Sequence, residues 1–129
     1  MTKSDRRMIS TGSPFEEIMG YSRAVVQGDW CFISGVTGYD YDTMRLPNHI
    51  SEQAENCFRT ISSVLRQAGF SISDIVRVQY TVTDRSLVSD LSGTLEKWLG
   101  GVRPAATMVI ADLIEEVMLI EIEVTAFKG

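Results

Sequence analysis

The sequence predicts an α+β fold in which one mixed sheet carries two helices on one of its faces. Three observations predict it. A strongly amphipathic helical stripe crosses the middle of the chain, β-rich segments lie on both sides of it, and a second helical stripe precedes the last two strands. The order strand, strand, helix, strand, helix, strand, strand lacks the strict alternation of a parallel α/β fold and suits mixed pairing.

Residues 1–20 read as irregular, with Gly12, Pro14 and Gly20 as breakers. The polar start, Met1 to Arg7, has no signal-peptide core behind it. Arg23 to Gln27 reads as a strand, Gly28-Asp29 as a turn, and Trp30 to Gly35 as a second strand. A two-residue loop containing glycine between apolar runs is a hairpin signal. Residues 36–48 hold Gly38 and Pro47 and read as an exposed loop. Its Tyr39-Asp40-Tyr41-Asp42 run suits either a ligand lid or a solvated stretch. His49 is expected at the surface or beside a helix cap.

The clearest helix follows. Ala54, Cys57, Phe58, Ile61, Val64, Leu65 and Ala68 form one apolar stripe opposite Glu52, Glu55, Arg59 and Arg66. Gly69 stands where a left-handed cap belongs. Ile75 to Thr83 is β-rich, with Val76, Val78, Tyr80 and Val82 expected on one face and Arg77, Gln79 and Thr81 on the other. A second helix is expected over Leu87–Leu99 with Leu87, Leu91, Leu95 and Trp98 as its stripe. Gly93 weakens it by about 1 kcal/mol relative to Ala, and Gly100-Gly101 ends it. Strands over 105–110 and 118–127 close the chain. In the last, Glu121, Glu123 and Thr125 alternate with Ile120, Ile122, Val124 and Ala126, so two carboxylates share one face. With both helices on one side, the other face of the sheet is bare, and oligomerisation is the natural cover.

At 129 residues the chain reads as one domain, 1–129, large enough to bury a core unaided. A net charge of −5 without any Lys/Arg run argues against a nucleic-acid partner. No apolar run approaches membrane-spanning length, so no membrane partner is expected. Cys31 and Cys57 sit in apolar patterns without a Cys-x-x-Cys, and His49 is the one imidazole, too few ligands for a metal. Buried free thiols, cytoplasmic residence and no cofactor are the expectations.

Several segments, in order, carry a resemblance. They are Gly20-Tyr21-Ser22-Arg23-Ala24-Val25, Phe32-Ile33-Ser34-Gly35, Ala68-Gly69, Val82-Thr83-Asp84, Arg103-Pro104-Ala105 and Ile120-Glu121-Ile122-Glu123. Their order and spacing resemble the RidA/YjgF family of small trimeric proteins, also labelled L-PSP endoribonucleases or translation inhibitors. The resemblance implies a chorismate-mutase-like domain with a mixed six-stranded sheet. It also implies a homotrimeric barrel, sheets inward, with small-molecule clefts between subunits. In deaminating members an arginine directly after Pro-Ala clamps a substrate carboxylate. The first glutamate of the Ile-Glu-Ile-Glu run positions water against an imine carbon. Such members hydrolyse imines and enamines such as 2-aminoacrylate to 2-keto acids and ammonia.

This chain keeps the glutamate as Glu121 and has Ala106 in place of the arginine. Losing a charged clamp costs several kcal/mol of binding, so typical 2-aminoacrylate deamination is not carried over. Glu121 is then either an exposed strand carboxylate or the water-positioning group, and Glu123 either raises its pKa or faces the trimer's central solvent. Tyr21 matches a tyrosine lining the cleft, or is a half-buried core ring. Ser34 and Gly35 match a segment facing the ligand; Ser34 has no His–Asp partners for a triad. Thr107 and Met108 are expected to flank the Ala106 pocket. Arg23 stands where deaminating relatives carry glutamine and is a candidate source of positive charge. Arg103 is expected to be a structural or intersubunit residue, because strand alternation and Pro104 aim it away from position 106. Three functions stay open: an imine or enamine hydrolase using Glu121, a non-catalytic small-molecule binder, and, weakest, an endoribonuclease.

Overall fold

The computed structural model describes residues 5–129. It contains strands β1 (Arg6–Ile9), β2 (Ala24–Gln27), β3 (Trp30–Thr37), β4 (Ile75–Val82), β5 (Ala105–Ile110) and β6 (Ile120–Phe127). The helices are α1 (Pro14–Met19), α2 (Ile50–Ala68) and α3 (Ser92–Leu99). The strands form one six-stranded sheet in the order β1-β2-β3-β6-β4-β5. Every pairing is antiparallel except β4 with β5, whose crossover carries α3. The fold is α+β with a mixed sheet.

Alternation on β6 places Ile120, Ile122, Val124 and Ala126 in the core and leaves Glu121, Glu123, Thr125 and Phe127 on the open face. The apolar stripe of α2 lies on the core face, where Cys57, Phe58, Ile61 and Leu65 are fully buried. Gly69 caps α2 in the left-handed conformation (φ 85°), its N–H reaching the carbonyls of Leu65 and Arg66. Helix α3 joins α2 on the same side: Trp98 stacks on Phe58 (5.6 Å) and donates its indole N–H to Glu55. Both cysteines are buried free thiols. Burial raises both, Cys31 to about 11, which keeps the thiolate form away.

Four expectations are corrected. Residues 1–20 are not irregular throughout. β1 pairs with β2 on the sheet edge, and α1 is capped by the Ser13 hydroxyl with Pro14 in its first turn and a left-handed Gly20 behind it. Both escaped periodicity because β1 is short and largely exposed and α1 is a turn and a half. Residues 1–4 of the polar start lie outside the described residues.

Residues 36–48 are not simply an exposed loop. β3 runs on to Thr37, and Val36, Thr37 and Gly38 are buried. Val76 is not with Val78, Tyr80 and Val82: the register of β4 against β6 shifts between Ile75 and Arg77, so Ile75 turns inward and Val76 is 42% exposed. The helix expected over Leu87–Leu99 divides into a 3-10 segment, Arg85–Leu91, and α3, because the Asp84 carboxylate holds the Ser86 N–H and tightens the first turns. Helix α2 begins at Ile50, with exposed His49 at its N-cap position.

Candidate active site

Strand β3 does not pair uniformly with β6. Its register slips between Ile33 and Val36, and the slack is Ser34-Gly35. A bulge of this kind re-aims side chains at a sheet's functional end. The Glu121 carboxyl lies on the bulge: a Cβ at Gly35 would sit 2.6 Å from its Cδ. A side chain at position 35 would therefore displace the end of Glu121, and this close approach, not the backbone angle, is what favours glycine. Across the ladders Glu121 faces Thr37 on β3 and Thr81 on β4.

Arg23 is wholly buried behind this bulge. Its Nη1 donates to the carbonyl oxygens of Gly35 (2.7 Å) and Ser34 (3.1 Å) and to the Ser34 hydroxyl (3.3 Å). Its Nε is 3.9 Å from Glu16, and its guanidinium carbon is 5.8 Å from the Tyr21 ring and 5.2 Å from the Tyr41 ring. Arg23 thus ties three segments together: the end of α1, the bulge, and the 39–45 loop. Among the described residues its Nε and Nη2 make no hydrogen bond.

The electrostatics follow from that packing. Burial raises the pKa of Glu121, Glu123 on the same strand face adds repulsion, and Arg23 opposes both, with a net upward direction. Burial also pushes Glu16 up, but hydrogen bonds from Thr11 and Ser10 and the charge of Arg23 outweigh it, and its carboxyl is held below the ordinary value. Burial raises the Tyr21 phenol, with Arg23 opposing. Two carboxylates thus flank one buried guanidinium with opposite shifts. Glu16 is the ion-pair partner of Arg23, and Glu121 holds its proton to higher pH than an ordinary carboxyl.

The expected site residues separate into two places. Tyr21, Arg23, Ser34, Gly35 and Glu121 come together at the bulge. The Ser34 hydroxyl lies 3.0 Å from the carbonyls of Ser22 and Arg23, so it braces the backbone and also lines an open-face groove of about 310 Å³ with Arg77, Gln79 and Glu123. Ala106 is elsewhere. It pairs with buried Val78 and so faces the helix side, whereas Glu121 pairs with Thr81 on the open side. One chain does not bring them together. Nor do Thr107 and Ala106 share a pocket, as expected from sequence. Alternation turns Thr107 to the open face, where Arg77 donates to its hydroxyl (3.4 Å), and returns half-buried Met108 to the side of Tyr80.

Arg103 and Ala106 both border a groove of about 370 Å³ between α3 and β5. Arg103 precedes the strand, and its left-handed backbone (φ 55°) replaces the alternation that the expectation assumed.

The family description "Endoribonuclease L-PSP" matches residues 11–128. The chain belongs to this family, the RidA/YjgF family. An uncharacterised Streptomyces coelicolor protein is 28% identical over 130 residues, covering 100% of this chain and 97% of the relative. A RutC family protein of Aquifex aeolicus is 30% identical over 110 residues, 84% of this chain and 88% of its own. Among solved structures, a Mycobacterium tuberculosis member of the YjgF/YER057c/UK114 family superposes with a TM-score of 0.86 at 35% identity, covering 95% of this chain and 99% of that one. RidA from an Antarctic Psychrobacter gives 0.84 at 29%, covering 94% and 98%.

Within this RidA/YjgF chain, sequence reasoning missed Glu16 and Thr37 and gave Tyr41 only as part of a possible lid. The Tyr41 hydroxyl contacts the Thr37 N–H (3.2 Å) and hydroxyl (3.1 Å), which pins the loop over Arg23. The aspartates of that loop turn outward, Asp40 accepting from the Asp42 N–H. Glu16 had a signal, since Ser13-Pro14-Phe15-Glu16 is a capping-box pattern. In the fold its carboxylate accepts from the Thr11 N–H and hydroxyl instead. The contact of Tyr41 with Thr37 had none, because it depends on how far β3 extends.

Proposed function

We propose that this protein is a homotrimer that binds a small metabolite in clefts between neighbouring copies and hydrolyses an imine, or its enamine tautomer, at Glu121. The observation that supports the reading best is the Glu121 carboxyl, half-buried on the Gly35 bulge with its pKa raised. A carboxylate tuned upward is a stronger general base, and its protonated form persists to higher pH. In the step proposed, Glu121 takes a proton from water as the water oxygen adds to the imine carbon. That proton passes to the nitrogen to give a neutral carbinolamine, whose hydroxyl proton then moves through Glu121 to the nitrogen as the C–N bond breaks and the carbonyl forms, leaving a carbonyl compound and ammonia. Arg23 acts as a positioning residue: it is too buried to touch a ligand, but it fixes the bulge beneath Glu121.

The trimer draws support from the open sheet face. Trp30, Phe32 and Phe127 lie together there, all substantially exposed, with Trp30 4.4 Å from Phe127 and 6.0 Å from Phe32. A bare sheet face carrying clustered aromatics suits burial against other copies. No helix among the described residues is long and apolar enough to cross a membrane. With two buried free thiols, a cytoplasmic setting is the reading we adopt.

A non-catalytic binder is favoured by one fact: Ala106 supplies no charge, so the protein is not read as a typical 2-aminoacrylate deaminase. The deciding experiment generates 2-imino acids with an amino-acid oxidase, and carboxylate-free imines with an amine oxidase, each with semicarbazide as trap. The wild type is expected to deplete at least one class of imine, and Glu121→Gln to lose that activity. If neither class is depleted, or Glu121→Gln matches the wild type, the hydrolase reading fails and the binder remains.

A further inference from the structure

Thr37 and Glu121 close the β3–β6 ladder as a directly opposed pair, so their side chains stand side by side on one face. Thr37 is nevertheless only 4% exposed. Its N–H and its hydroxyl both meet the Tyr41 hydroxyl, at 3.2 and 3.1 Å. An N–H can only donate, so the phenol oxygen accepts there, and the phenol's own proton is left for the Thr37 hydroxyl oxygen. A buried backbone donor at the end of a strand is thus met by a side chain from a loop instead of by a neighbouring strand.

The ring of the same tyrosine makes a second contact. The Arg23 guanidinium carbon lies 5.2 Å from its centroid, and Arg23 Nη1 donates to the Gly35 carbonyl (2.7 Å). Arg23 Nε and Nη2 make no hydrogen bond among the described residues, so the faces of Tyr41 and Tyr21, with Glu16, are what offset its buried charge on that side. Tyr41 therefore grips the bulge from two directions. Its hydroxyl holds Thr37 just beyond the bulge, and its ring faces the cation that holds the bulge carbonyls. The loop that presents it is closed on itself. The Asp40 N–H donates to the Arg45 carbonyl (2.9 Å), the Met44 N–H to the Asp40 carbonyl (2.7 Å), and the Asn56 amide to the Gly38 carbonyl (3.0 Å).

We infer that Tyr41 is a positioning residue for Glu121, acting through Thr37 and Arg23 instead of on the ligand. Its functional consequence rests on the reading of Glu121 given above and deepens it, by naming the side chain that keeps water from the Thr37 side of the carboxyl. The charged and titratable groups around Glu121 are Glu123 on its own strand, Arg23 ahead of β2 and the Cys57 thiol on α2. Tyr41 acts on that set indirectly, by satisfying Thr37. Without the phenol oxygen, the Thr37 N–H and hydroxyl would draw water in beside the carboxyl, and water favours its ionised form.

The test follows the Glu121 carboxyl itself, by NMR titration of the intact protein with labelled glutamate carboxyls, the resonance being assigned by its loss in Glu121→Gln. Tyr41→Phe keeps the ring over Arg23 and removes the hydroxyl alone. The Glu121 midpoint should then move down toward the ordinary carboxylate range. Adding Thr37→Val removes the orphaned hydroxyl and should bring the midpoint part-way back, since losing both partners strands less than losing one. Leu99→Ala, a core change on the helix side of the sheet, should lower the melting temperature and leave the midpoint in place. With an imine that the wild type hydrolyses, Tyr41→Phe should cut kcat by about three- to tenfold, the worth of one hydrogen bond, with KM little changed. An unmoved midpoint in Tyr41→Phe, no return on adding Thr37→Val, an equal move in Leu99→Ala, or an unchanged kcat overturns the inference. The titration needs no turnover, so a protein that hydrolyses no imine defeats the hydrolase reading and leaves the positioning of Glu121 to be judged on its midpoint.

Discussion

The bulge around Glu121 and the groove around Arg103 are both polar sites, and they are built in opposite ways. At the bulge, the cation is fully buried and locked to two backbone carbonyls, a carboxylate and two aromatic rings. At the groove, the cation is exposed and unpaired, and the strain lies in the backbone beneath it. The first arrangement fixes one geometry and resists change. The second leaves its charge open to solvent and tolerates substitution.

The sharpest way to break this contrast is to remove each cation in turn. Arg23→Met should destabilise the protein by about 3–5 kcal/mol, the scale for stripping one partner from a buried ion pair, since it strands Glu16 and the carbonyls of Ser34 and Gly35. Urea denaturation reads it directly. Arg103→Asn, by comparison, should stay within about 0.5 kcal/mol, as surface changes do. Equal losses at the two sites would erase the distinction.

Next in size is Gly35→Ala. A Cβ there collides with the Glu121 carboxyl, and crowding of that kind costs about 1–3 kcal/mol. Imine turnover should fall with it, because the carboxyl is driven off the bulge. Retained stability with lost turnover would show that Glu121 simply rotates away.

The smallest effect carries a sign. The folded-state pKa of Glu121 is raised, so its protonated form favours folding and its ionised form opposes it. That stabilising contribution is complete below the unfolded carboxylate value and is lost as pH rises through the folded one. Glu121→Gln should therefore melt slightly higher than the wild type at pH 7, with the gap closing as the pH falls through the ordinary carboxylate range. Glu16 behaves oppositely. Its depressed value gives stability that is present at neutral pH and lost on acidification, so Glu16→Gln should melt lower at pH 7. Thermal melts of the two variants across pH separate the poised carboxylate from the structural one.

Much of the architecture was legible in the residues. The α2 stripe, the Gly69 cap, the Gly28-Asp29 hairpin and the alternation on β6 are local patterns. Each is dictated by how side chains project from a helix or strand, and each recurs in the fold. Motif order also placed Tyr21, Ser34, Gly35 and Glu121, and these do meet. What sequence could not supply was register. The slip at Ser34-Gly35 brings the Glu121 carboxyl against Gly35, the slip at Val76 exposes an expected core valine, and the left-handed turn at Arg103 undoes a forecast based on alternation. Burial of Arg23 was equally invisible, since its shell comes from α1, β3 and the 39–45 loop. Local sequence determined which segments become helix or strand, because propensity and periodicity act over a few residues. Only the tertiary structure decided which charges are locked and which are free, because pairing and desolvation depend on chain segments brought together from a distance.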